Sequence, residues 1–203
     1  MPPLPRPPKM CAAFSLIELL VTFAIMAVVI SMLYGFGSAR HQKTQKQLCA
    51  DNLQKIFLAA QIYANDFSGK FPFVTNAATS EDALGLLVPK YSADTSIFIC
   101  PGGRDSQIPS GEPLRAHKIS YAYFMGRRAD SSQNILSSDR LVDTSPKRGG
   151  EYVFSHNGKS PGNNHHKFGG NFLLNDGSVA ASPARLELPA LTTNGITLLN
   201  PKP

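Results

Sequence analysis

The chain has 203 residues, 42% of them hydrophobic, so its length and composition allow one globular domain with a real core plus a long additional element. The formal net charge is +6, but Arg6 and Lys9 stand ahead of an apolar segment, where membrane topology alone explains them. The other basic residues form no run of five and are not interleaved with aromatic residues, which argues against direct nucleic-acid binding.

The first predicted element is a transmembrane helix over residues 14–36, which follows a short basic leader, residues 1–13. A helix of this length spans about 35 Å, enough to cross a bilayer core of about 30 Å. Because positive charge precedes it, we expect a single-pass inner-membrane protein with a cytoplasmic N-terminus and a periplasmic C-terminal domain. A secretory signal peptide fits poorly, since the small residues Ala12 and Ala13 precede the apolar run.

Glu18 is the one charged residue of this apolar segment. A charged side chain costs on the order of 2.5–3.5 kcal/mol at the bilayer centre and less near its edge. One interpretation is that Glu18 reaches the cytoplasmic surface. The other is that it pairs with a positive group. Cleavage after Ala13 would create such a group, the α-amino group of Phe14 of a neighbouring copy.

The run from Ala13 to Leu20, AFSLIELL, resembles the cleavage and methylation motif of type IV pilins and of the pseudopilins of type II secretion systems. In that family a prepilin peptidase removes the leader before a phenylalanine, whose amine is then methylated. The resemblance implies cleavage between Ala13 and Phe14, N-methylation of Phe14 and an assembly role for Glu18. The sequence departs from the family in having Ala13 where glycine is usual.

Residues 37–68 are predicted to continue the helix as an amphipathic segment. No proline interrupts positions 14 to 71, and apolar or small residues recur every three or four positions. One helix is therefore expected from about Ser15 to about Asp66, ended by Gly69 in a left-handed cap. We expect such a long helix to serve the packing of many copies. The predicted buried stripe contains Cys49, Leu53, Ile56, Phe57, Ala60, Ala64 and Phe67.

Residues 69–203 are predicted to form the globular domain. A short helix should start at Ser80 and end near Pro89. The predicted fold class is α+β and pilin-like, with the long N-terminal helix packed on a small antiparallel sheet. Turn-forming residues separate the strand candidates, which are 96–100, 118–124, 133–137, 152–155, 170–175 and 178–181.

A hairpin signal lies between the last two strand candidates, because Asp176-Gly177 readily adopts the positive φ angles of a tight turn. His166 stands ten positions before Asp176. This arrangement resembles the His-x9-Asp-Gly signature found in the C-terminal part of many prepilin-like proteins, a resemblance that defines no biochemical activity. We expect His166, Asp176 and Gly177 to brace the hairpin and not to perform chemistry.

Two cysteines lie beyond the membrane segment, Cys49 on the buried face of the helix and Cys100 at the end of a strand candidate. Both are expected to face an oxidising compartment, so we predict a disulfide between them. The alternative is a pair of buried free thiols, which are common core residues.

No cofactor and no enzymatic activity are predicted, with calcium left open as the alternative for the cofactor. A His-His dipeptide on a strand directs its side chains to opposite faces, and no aspartate cluster matches the calcium loop of the major pseudopilins. No G-x-S-x-G, H-E-x-x-H or phosphate-loop motif is found. The side chains that raise the question of a metal are His156, His165, His166, Asp139, Asp143 and Asp176.

The sequence therefore predicts a structural subunit, a pilin or pseudopilin, of a type II secretion pseudopilus or type IV pilus-like filament. The resemblance implies as partners copies of itself, other pilin-like subunits, a prepilin peptidase and a platform protein, first at the inner membrane and then in a periplasmic or surface filament. Two alternatives stay open. One is a minor pilin-like module that binds DNA for uptake or a surface ligand. The other is a membrane-anchored periplasmic protein that never polymerises.

Overall fold

The computed structural model describes residues 15–130, 132–162, 168–186 and 195–203, without the side chains of residues 33–40. The predicted leader, residues 1–13, and Phe14 lie outside the described residues. Contacts between Cα atoms divide the chain after Arg40 into two units, Met1–Arg40 and His41–Pro203.

The long helix α1 comprises Leu16–Asp66, close to the predicted bounds. Its end follows from local chemistry. Gly69 has a φ of +76°, and its N–H donates to the carbonyl oxygen of Ala64 at 2.8 Å. This bond satisfies a carbonyl that the last helical turn leaves without an intrahelical donor, and glycine adopts the required left-handed conformation at little cost.

In the second unit, the described strands form one five-stranded antiparallel sheet in the order β4-β3-β2-β1-β5. The strands are β1 (Tyr121–Met125), β2 (Ile135–Asp139), β3 (Gly170–Leu174), β4 (Val179–Ser182) and β5 (Thr197–Leu199). A short helix α2, Ser80–Leu84, runs on into a 3-10 turn over Gly85–Leu87, as the sequence predicts. The predicted α+β fold, with a helix packed on a small antiparallel sheet, is confirmed.

The main core lies between residues 41–66 of α1 and one face of this sheet. Tyr121 and Tyr123 of β1 point into it, whereas Phe124 points to the other face, where a smaller cluster forms around Phe154. Successive residues of a strand alternate between the faces, so β1 is buried on both sides. The helix contributes the following fully or almost fully buried residues of the predicted stripe: Cys49, Leu53, Ile56, Ala60 and Ala64.

Three local predictions are wrong. Residues 96–100 are not a strand, because Asp94 accepts a hydrogen bond from the Ser96 N–H at 2.9 Å and starts a 3-10 helix over Thr95–Phe98. Residues 152–155 form only an isolated bridge, Tyr152 to Arg185. Phe67, predicted to be buried, is 47% exposed, because it lies beyond the end of the helix. Its ring stacks on that of Tyr63.

Strand β5, Thr197–Leu199, was not predicted. It has three residues, too few for a period-two pattern to be distinguished from a loop, and it pairs with the edge of β1. The other four strand candidates correspond to β1–β4, with their ends shifted by up to three residues.

Candidate functional site

The described part of the first unit is an apolar helical surface. Every residue of Leu16–Met32 is exposed, and its large hydrophobic side chains are between 46% and 78% exposed. They are distributed around the whole circumference: Leu16, Ile17, Leu19, Leu20, Val21, Phe23, Ile25, Met26, Val28, Val29, Ile30 and Met32. A helix that is hydrophobic all round requires lipid or other protein around it.

Glu18 is the only charged side chain of that surface and lies in the first turn of α1. Its Oε2 accepts a hydrogen bond from the Ser15 N–H at 3.0 Å. A carboxylate at this position also interacts favourably with the positive end of the helix dipole. The carboxylate is therefore held beside the helix start. Ala13 and Phe14 lie outside the described residues, so the cleavage site and its pairing with Glu18 stay predictions.

Within the described residues, no helix combines the length and the apolar character needed to cross a membrane. The predicted transmembrane segment begins at Phe14 and includes the undescribed side chains of residues 33–36.

The predicted hairpin is present between β3 and β4. Asp176 Oδ1 accepts hydrogen bonds from Ser178, from Oγ at 2.6 Å and from the N–H at 2.9 Å, and these bonds lower the pKa of Asp176. Gly177 has a φ of +83° and its N–H donates to the Leu174 carbonyl oxygen at 3.0 Å. His166 lies outside the described residues, so its role as a brace stays a prediction.

Gly177 also faces the helix. A Cβ added to it would lie 2.6 Å from Cε1 of Phe57, which is closer than real Cβ contacts allow. The turn thus requires glycine for two reasons, the positive φ and the approach of the Phe57 ring. The hairpin tip and residues 41–66 of α1 are therefore in direct contact.

The structure adds two buried asparagines that the sequence did not single out. Asn175 Nδ2 donates to the Arg128 carbonyl oxygen at 3.1 Å and to Asp130 Oδ1 at 2.8 Å. These bonds attach the hairpin tip to the loop after β1. Asn175 stands directly before the Asp-Gly turn, where an asparagine is usually explained as a turn residue. Its position in the sequence therefore did not indicate these contacts.

Asn171, in the middle of an apolar strand, joins three elements. Its N–H and Nδ2 donate to Asp139 Oδ2 of β2 at 2.8 and 3.0 Å, and Nδ2 also donates to the Lys46 carbonyl oxygen of α1 at 3.0 Å. Lys46 Nζ donates in turn to the carbonyl oxygens of Phe168 and Ser182, at 2.9 and 3.2 Å. The ends of the hairpin strands are thereby fastened to the helix.

Burial controls the charges in this network. Asp139 is fully buried, and desolvation raises its pKa to about 7. Desolvation also lowers the pKa of Lys46. The nearby Asp139 carboxylate raises that pKa, but by less than desolvation lowers it. A buried polar residue inside an apolar strand, as Asn171 is, was the one available signal for these contacts.

The structure joins Cys49 of α1 and Cys100 in a disulfide, with their Cα atoms 5.4 Å apart. Both residues are at most 1% exposed. One turn further along the helix, Asn52 Nδ2 donates to the Ile99 carbonyl oxygen at 3.0 Å. The covalent link and the hydrogen bond hold the same loop against the helix.

The side chains considered as metal ligands have other neighbours. Asp143 forms an ion pair with Lys147 at 2.6 Å, and the His156 ring lies 4.8 Å from the Tyr152 ring. Across the described ranges, no three His, Cys, Asp or Glu side chains are grouped so that they could hold a metal ion. His165, like His166, lies outside those ranges.

Residues 8–34 match the family described as the prokaryotic N-terminal methylation motif. The match supports a type IV pilin-like N-terminal segment, of the kind that a prepilin peptidase processes and that anchors a structural subunit in the membrane. It does not extend to the globular unit, so the His-x9-Asp-Gly resemblance and the pseudopilin subtype stay predictions. No curated protein and no solved structure matches the chain.

Proposed function

We propose that the chain is a structural subunit of a type II secretion pseudopilus or a type IV pilus-like filament. A prepilin peptidase cuts it between Ala13 and Phe14, and the mature chain assembles through the N-terminal part of α1. The observation that carries the proposal is the apolar surface of Leu16–Met32 with its single carboxylate, Glu18. The methylation motif at residues 8–34 supports the same proposal, because it overlaps this apolar surface.

The apolar surface suits two successive environments. Before assembly the bilayer covers it, with residues 14–36 as a single-pass anchor, a cytoplasmic N-terminus and the globular unit in the periplasm. In the filament, neighbouring copies and other pilin-like subunits cover it. Lipid tails are as apolar as leucine side chains, so replacing lipid by neighbouring subunits costs little hydrophobic free energy. Packing and polar contacts between the helices therefore determine whether the subunits associate.

Glu18 supplies the polar contact. Cleavage creates an α-amino group on Phe14, and the carboxylate of a neighbouring copy pairs with it. A charge-assisted hydrogen bond in an apolar environment is stronger than the same bond in water. Keeping a charged Glu18 inside the membrane costs on the order of 2.5–3.5 kcal/mol at most, and pairing with the amine of a neighbouring copy lowers this cost. The pair also fixes the axial register of the subunits. A platform protein and an assembly ATPase complete the machinery.

Cleavage is tested by co-expressing the full chain with a prepilin peptidase and measuring the intact mass of the membrane fraction. We expect the loss of residues 1–13 and a chain that starts at Phe14, with the added mass of N-methylation. Ala13→Leu should block the cut, because the position before the cut takes a small residue. Ala12→Leu is the matched control and should be processed normally. A chain that keeps Met1–Ala13 in the presence of active peptidase would contradict the proposal.

Assembly is tested with Glu18→Gln, which keeps the size of the side chain and removes its charge. The variant should be cleaved and retained in the membrane but should disappear from sheared filaments. Thr22→Ala, one helical turn away on the same apolar helix, is the control and should assemble like the wild type. Equal filament levels for Glu18→Gln and the wild type would show that Glu18 only reaches the membrane surface.

A further inference from the structure

The His41–Pro203 unit contains a pocket of about 490 Å³ that none of the assembly features line. Its walls come from the loop after Cys100, the residues before β1, the segment after β2 and the chain around residues 160–162 and 200–203. Sites for small molecules commonly have volumes of about 300–1,000 Å³. The pocket is therefore large enough for a ligand the size of a monosaccharide.

The pocket is positively charged. Four cationic side chains line it, Arg104, Lys118, Arg140 and Lys202, against one carboxylate side chain, that of Asp105. Three positive side-chain charges are thus in excess. A concave surface lined by one sign of charge concentrates the field and attracts ligands of the opposite sign.

Arg140 provides a buried, fixed part of this charge. It is 7% exposed, its guanidinium lies 3.3 Å from Asp105 Oδ2, and it donates to the Ile119 carbonyl oxygen. Asp105 Oδ2 also accepts a hydrogen bond from Ser120 Oγ at 2.7 Å. The arginine is therefore positioned before any ligand enters, which reduces the entropy that binding would cost.

Arg104 provides an accessible cation. Its side chain is exposed at the pocket, and within the described ranges it makes neither a hydrogen bond nor an ion pair. Lys118 Nζ already donates to a main-chain oxygen of Pro203, so the pocket accommodates an oxygen acceptor next to a lysine. Leu141 and Val142 add apolar wall that a carbon skeleton can contact.

We propose that this pocket binds a small organic oxyanion, a carboxylate or a phosphate group on a compact polar carbon skeleton. Guanidinium groups match the planar, two-oxygen geometry of both anions, and the exposed Arg104 and the buried Arg140 both line the pocket. All residues that line the pocket belong to the His41–Pro203 unit, and the proposal is independent of whether the chain forms filaments.

The test uses the full chain in a non-ionic detergent and isothermal titration calorimetry at constant ionic strength. The probes are inorganic phosphate, D-glucuronate and neutral D-glucose. We expect saturable binding of at least one anion, with a dissociation constant of about 1 mM or tighter, and none of glucose. A preference for phosphate or for glucuronate identifies which anionic group the site takes.

Arg104→Gln should weaken binding about tenfold, the usual effect of losing one charge-assisted hydrogen bond. Arg148→Gln removes the same charge from an exposed arginine outside the pocket and should change the affinity less than about twofold. Arg104 is exposed, so its replacement should not disturb folding. The proposal is overturned if neither anion gives saturable heat up to about 10 mM, or if both variants weaken binding equally.

Discussion

Replacing Gly177 with alanine should lower the free energy of unfolding of the globular unit by about 2–5 kcal/mol. Two effects add. A residue with a Cβ at a φ of +83° costs about 1–2 kcal/mol. The new Cβ would also lie 2.6 Å from the Phe57 ring, and relieving an overpacked contact typically costs about 1–3 kcal/mol more.

Two controls separate these effects. Gly111 has a φ of +86° with nothing within 4 Å of an added Cβ, so Gly111→Ala should show the backbone cost alone, about 1–2 kcal/mol. Phe57→Ala removes the ring, so in that background the cost of Gly177→Ala should fall to the same value. The double-mutant cycle then gives a coupling of about 1–3 kcal/mol between Gly177 and Phe57.

Urea unfolding of the full chain, followed by tyrosine fluorescence, measures these differences. The chain has no tryptophan, and five of its six tyrosines lie in the His41–Pro203 unit, where Tyr121 and Tyr123 are fully buried. The signal therefore reports mainly on the globular unit, with one tyrosine, Tyr34, in the other unit. An equal cost for Gly177→Ala and Gly111→Ala, or a cycle without coupling, would refute the contact between the hairpin tip and α1.

Two further predictions concern stability. Replacing Cys49 and Cys100 with serine should lower the free energy of unfolding by up to about 4 kcal/mol in the same urea assay, because their bridge closes a loop across a sequence separation of 51 residues. Thiol labelling at both cysteines of the unfolded, unreduced wild type would contradict the bridge. Burial raises the pKa of Asp139 to about 7, so the folded state keeps a proton that the unfolded state releases near the ordinary carboxyl pKa of 3.8. Wild-type stability should therefore fall as pH rises from about 4 to about 7, and equal pH slopes for wild type and Asp139→Asn would contradict the shift.

The sequence by itself determined the features that depend on near neighbours. The absence of proline and the three-and-four spacing of apolar residues specify a helix with one buried face, and Gly69 specifies its end, because hydrogen bonds within a helix join residues four apart. The Asp176-Gly177 turn follows from the same local logic, since only the residues at the turn must tolerate a positive φ. The apolar segment around Glu18 is likewise visible without any fold.

The tertiary structure alone decided the features that depend on which distant segments meet. Asn171 contacts Lys46, 125 positions away, and no periodicity in either segment encodes that hydrogen bond. Residues 96–100 have the composition of a strand, but a strand requires a partner edge, and the cap on Ser96 favours a 3-10 turn instead. The cationic pocket is a further case, because its walls come from five separate segments. Hydrophobic patterning reports which side of an element is buried, whereas the partner of each buried polar group is chosen only when the elements pack.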